Sequence, residues 1–89
     1  MRFEWDGGKS AKLKAERGVS FEELEAAIQN GGLKDILPHP SRDKYPGQNL
    51  WIVLLQRKLW VLAIEERRDA IRFVTAYQSR KLRKNYEKK

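Results

Sequence analysis

The sequence predicts an α+β domain: a small antiparallel β-sheet with two N-terminal helices on one face and a basic C-terminal helix. Three observations carry that prediction. Two helix starts with capping residues fall in the first third of the chain. Three β-branched and aromatic segments, separated by short polar connectors, fill residues 50–78. A run rich in Lys and Arg ends the chain. With 89 residues and no internal repeat, a single domain spanning 1–89 is expected.

Residues 2–6, RFEWD, alternate Phe3 and Trp5 against Arg2 and Glu4, the period of a short, half-buried edge strand. Asp6 can cap a helix over 7–17, and Gly18 can stop it. In VSFEEL the Ser20 hydroxyl and Glu23 make a capping box, with Val19 set to staple onto Leu24. A second helix over 21–29 follows, its apolar Phe21, Leu24, Ala27 and Ile28 on one side, and Asn30-Gly31-Gly32 ends it. Leu33, Ile36 and Leu37 fit a short strand. The stretch PHPSRDKYPGQN after it carries three prolines and a glycine, so a long loop is expected.

Strands over 50–56, 59–66 and 70–78, turning at Arg57-Lys58 and at Arg67-Arg68-Asp69, then form an antiparallel meander. The first two are apolar on both faces, so each needs a covering layer. Trp5, Trp51 and Trp60 are expected as core or interface anchors. Ser79 can cap a helix over 80–89 that docks through Leu82 and Tyr86.

Charge is divided unevenly. Residues 1–49 are neutral overall, and the whole net charge of +7 falls within 67–89. A folded cationic surface of this kind calls for a polyanion, with nucleic acid the first candidate. There is no cysteine and one histidine, so neither a thiolate metal site nor a cofactor is expected. MRFEWDGGKS turns polar within six residues and no apolar run approaches the roughly 20 residues of a membrane span; a cytoplasmic protein without membrane contact is expected.

FEWD at 3–6, Lys9, GVSF at 18–21, the meander, and a terminal basic segment with YE at 86–87 together resemble the BrnT-type toxins of bacterial type II toxin–antitoxin systems. The resemblance implies a RelE-like fold, metal-independent ribonuclease activity, and a cognate antitoxin as hetero-oligomeric partner. The chain departs from the family in its first helix, where Leu13 and Ala15-Glu16 stand in place of an Asn and a Lys-His pair. It departs again at residues 75–81, which replace an S-A-R-K-like junction.

Cleaving RNA without a metal takes a base for the 2′-hydroxyl, an acid for the leaving oxygen, and cations around the phosphorane. Glu66 at a strand end, Arg67 and Arg68 in the turn, and Arg72 on the next strand can converge; alternation puts Thr75 and Tyr77 on the opposite side from Arg72. Arg80 and Lys81 sit where a helix start repels cations and attracts phosphate. His39, with Arg42 and Lys44 close behind, is a loop acid or base. Catalytic candidates are therefore Glu66, Arg72, Arg80 and His39, and RNA-binding candidates are Arg67, Arg68, Lys81, Arg42, Lys44 and Tyr77. Tyr45 can stack on a base or pack on the sheet. The plainer alternatives are a Glu66–Arg72 cross-strand ion pair, solvated turn arginines and an exposed loop histidine. On the same fold, a non-catalytic nucleic-acid-binding or protein-interaction domain is the alternative function.

Overall fold

The computed structural model describes residues 2–79, so the expected closing helix, with Arg80 and Lys81, lies outside the described residues. Five strands and two helices follow in the order β1 (Arg2–Glu4), α1 (Gly7–Arg17), α2 (Phe21–Gln29), β2 (Leu33–Pro38), β3 (Gln48–Leu55), β4 (Lys58–Glu66) and β5 (Ala70–Tyr77). They form one sheet in the spatial order β1-β5-β4-β3-β2.

The sheet is mixed rather than antiparallel. The meander β2 to β5 is antiparallel throughout, but β1 runs parallel to β5, with Arg2 opposite Ala70 and Glu4 opposite Arg72. The cause is topological. The two helices carry the chain from one sheet edge to the other, and the three reversals of the meander return it beside β1 in β1's own direction.

Both helices begin and end where their caps dictate. Asp6 accepts from the Lys9 N–H, and Gly18 takes the left-handed conformation at φ 85°. The α2 capping box is complete, with Glu23 N–H to Ser20 Oγ at 3.1 Å and Ser20 N–H to Glu23 Oε1 at 3.0 Å. Lys14 pairs with that same carboxylate at 2.8 Å, and the pair holds the Glu23 pKa below its ordinary value. The stabilisation is therefore in place at neutral pH and is lost as pH falls through the lowered folded-state pKa. Buried Ser10 ties the helices together: its Oγ accepts from the Phe21 N–H at 3.0 Å and donates to Glu22.

The two sheet faces bury separate clusters. Under the helices, Leu13, Val19, Phe21 and Leu24 meet Trp51, Val53, Trp60, Leu62, Ile64, Ile71, Phe73 and Ala76. All three tryptophans join this core or pack on it, as expected. On the other face Leu50, Ile52, Val61 and Ala63 form a second cluster, with Leu37, Leu59, Val74 and Tyr77 packed against it.

The β3–β4 turn lies one residue earlier than expected, at Gln56-Arg57, both with positive φ (56° and 62°), and Lys58 joins the ladder opposite Leu55. Such a two-residue turn matches the twist of the flanking strands, but neither residue is the glycine it favours. Arg57→Gly relieves about 1–2 kcal/mol of left-handed strain against about 0.4–1 kcal/mol of added chain entropy. The expected result is a melting temperature a few degrees higher in a thermal unfolding scan; a lower one would show that the turn carries no such strain.

Candidate nucleic-acid interface

The local register of β4 and β5 decides which charged groups meet. The Arg67 N–H donates to the Ala70 carbonyl at 2.9 Å and closes a tight turn, which places Glu66 opposite Ile71 and Glu65 opposite Arg72. Opposed residues share a face and successive residues alternate. Glu66 and Arg72 therefore lie on opposite faces of the sheet, and neither the expected convergence nor the alternative ion pair between them forms. Glu66 instead accepts from Asn49 Nδ2 at 3.3 Å and lines a corner cleft with Arg67, Arg68 and Asp69.

The carboxylate beside Arg72 is Glu65. Across the face away from the helices, one row reads Glu4, Arg72, Glu65, Gln48, contributed by β1, β5, β4 and β3 in turn. Arg67 reaches back to Glu65 at 2.9 Å. Arg72 is half-buried, and among the described residues its guanidinium has no hydrogen-bond or ion-pair partner. An arginine in that state retains its full set of donors for an oxyanion.

A β-bulge then reverses the expected alternation along β5. Ile64 faces Phe73 and Ala63 faces Thr75, so Val74 is an extra residue. Phe73 and Ala76, three apart, both enter the helix-side core, and Thr75 and Tyr77 move to the same face as Arg72. Tyr77 packs there on the second cluster, about 14 Å along the strands from Arg72.

His39 is separated from this group. It follows Pro38, the last residue of the far edge strand, three strand spacings or about 14 Å from Arg72. Its Nδ1 accepts from the Ser41 N–H at 3.0 Å, and its ring lies 4.7 Å from that of Tyr45. Tyr45 thus packs on His39 rather than on the sheet, with 45% of its surface exposed. Arg42 and Lys44 are exposed in the same loop, away from the Arg72 row.

A second basic feature escaped the sequence reading. β1 covers only the first three residues of β5, so the strand's outer edge is bare beyond Arg72, and α1 lies along it. Lys9 Nζ donates to the Val74 carbonyl at 3.2 Å and Arg17 Nη1 to the Ala76 carbonyl at 2.6 Å. These bonds satisfy edge acceptors that would otherwise be open to pairing. Between helix and strand lies a cleft lined by Lys9, Lys12, Leu13, Glu16, Arg17, Phe21, Val74 and Thr75. Its signal in the sequence was the spacing 9, 12, 16, 17, a single helix face.

Among the described residues no group of His, Asp and Glu gathers as a metal site, and no helix is long and apolar enough to cross a membrane. No family model and no curated protein sequence matches the chain.

Proposed function

We propose that this protein is the toxin of a BrnT-type toxin–antitoxin module, a RelE-like, metal-independent endoribonuclease of the bacterial cytoplasm whose partners are RNA and a cognate antitoxin. The observation that carries the reading is Arg72, half-buried and unpaired among the described residues, in line with Glu65 and with Arg67 at hand. The sequence resemblance supplies the reaction class, and the row supplies groups suited to it. Glu65 takes the proton of a 2′-hydroxyl; the 2′-oxygen bonds to phosphorus as the bond to the 5′-oxygen breaks, and that oxygen leaves with a proton from water. Arg72 and Arg67 offset the charge gathering on the phosphorane oxygens. Thr75 and Tyr77, on the same face, are placed for the flanking nucleotide.

A second reading, RNA binding without cleavage, is favoured by one contact: Glu65 is already engaged by Arg67 at 2.9 Å. Incubation with RNA in EDTA separates the two. Cleavage that survives chelation and falls in Arg72→Ala supports the nuclease; salt-sensitive binding with no cleavage by the wild type supports the second reading.

A further inference from the structure

We propose that the cleft between α1 and the bulged edge of β5 is a second phosphate-binding site, which holds the backbone of the same RNA strand next to the phosphate on Arg72. This rests on the RNA reading above and assigns a role to residues which that reading leaves unused. Lys9, Lys12 and Arg17 line the cleft with a single carboxylate, Glu16. Two of the three cations are held in place by the β5 backbone, at 3.2 Å for Lys9 and 2.6 Å for Arg17. A lysine ammonium has three donors and a guanidinium five, so each keeps donors for a ligand after making that bond. Their side-chain entropy is partly lost before any ligand arrives, which is what makes a charged group an effective binder. Lys12 is exposed and has no partner among the described residues. Lys14, by contrast, is spent on Glu23 at 2.8 Å and does not line the cleft.

Position ties the cleft to Arg72. Thr75, opposite Ala63, lies two ladder positions from Arg72, opposite Glu65, or about 7 Å along the strand, with Val74 between them. The bulge adds twist at that point, next to the edge carbonyls that Lys9 and Arg17 bind. A single strand that crosses the bare edge of β5, from the face carrying Arg72 to the side where α1 lies, meets Arg72 and then the α1 cations in succession. Phosphodiester oxygens are the matching chemistry: several acceptors on one delocalised charge, met by separate fixed donors.

The test uses a short single-stranded RNA with 2′-O-methyl groups, which binds but lacks the hydroxyl needed for cutting. Binding is measured across salt concentrations for the wild type, Lys12→Ala, Glu16→Gln and Lys34→Ala. Lys34 is an equal loss of charge on the opposite edge strand, beyond a Debye length at physiological salt. Lys12→Ala is expected to weaken binding and lower the slope of log K against log salt by about 0.7. Glu16→Gln is expected to tighten binding, and Lys34→Ala to leave the slope unchanged. Circular dichroism confirms the helix in each variant. Equal effects of Lys12→Ala and Lys34→Ala, or no tightening in Glu16→Gln, overturn the site. Because the probe cannot be cut, loss of the nuclease reading in EDTA leaves this result standing, and loss of the cleft leaves the nuclease reading standing.

Discussion

Phe73→Ala is expected to cost about 3–5 kcal/mol, the usual range for removing a buried phenylalanine ring. Phe73 is only 1% exposed and sits among three other aromatic residues, with ring centroids 5.1 Å from Phe3, 5.5 Å from Trp5 and 5.8 Å from Phe21. The Trp5 ring is stacked on it at 13°. One side chain thus joins β1, the segment entering α1, the first turn of α2, and β5. Domains carry about 5–15 kcal/mol of stability in total, and a chain of 89 residues falls toward the low end. The variant should therefore unfold at a urea midpoint lower by more than about 1 M. Phe73→Leu, which keeps much of the volume, should lose less, and Ile36→Ala, at a site 53% exposed, should change stability by no more than about 0.5 kcal/mol. A Phe73→Ala loss as small as that of Ile36→Ala would mean that the aromatic cluster does not hold β1 and the helices to the sheet.

The contacts of Phe73 also mark the boundary of what the sequence discloses. The helix boundaries were legible. The Asp6 cap, the Gly18 stop, the Ser20–Glu23 box and the bounds of both helices follow from residues within four positions of one another, because capping is a short-range interaction. The apolar strands were equally plain. The parallel pairing of β1 was not, because nothing in RFEWD records a neighbour some 70 residues away. That pairing depends on which edge the helices cross to, a property of the whole chain.

The site was legible in composition and not in arrangement. Reading the β4–β5 connector as Arg67 to Asp69 is correct, yet the connector's bounds do not fix the cross-strand register, and a shift of one residue reverses the result. With Arg67 and Ala70 closing the turn, Arg72 faces Glu65, and Glu66 is sent to the other side. The extra Val74 then inverts alternation a second time and returns Thr75 and Tyr77 to the Arg72 face. Neither step has a marker of its own: the bulge carries no glycine, and RRDA can close more than one turn. The α1 cations are plain in the sequence as charge but not in their role, since only the bare edge of β5 gives Lys9 and Arg17 something to bind.

Exchanging the two adjacent glutamates for glutamine is expected to separate them sharply. Glu65→Gln should lower the rate of RNA cleavage by about 10²–10⁴-fold, the contribution of a positioned general base. Glu66→Gln should leave the rate near that of the wild type, because Glu66 faces away from Arg72 and bonds to Asn49. Glutamine preserves the shape of the side chain and still accepts a hydrogen bond from Arg67, so the loss follows from the missing proton acceptor. Binding should move the other way. The row holds two carboxylates, Glu4 and Glu65, on either side of Arg72, and each repels a phosphate brought to the guanidinium. Removing the charge of Glu65 loosens its hold on Arg67 and lifts its repulsion of a phosphate at Arg72, so KM should fall or hold while kcat collapses, the pattern of a group that acts in the transition state. The same loss in Glu66→Gln, or a rise in KM with kcat intact in Glu65→Gln, would place the proton transfer elsewhere and leave the Arg72 row a binding site. A carboxylate that weakens binding is tolerable only where chemistry needs it, and the glutamine variant measures that trade directly.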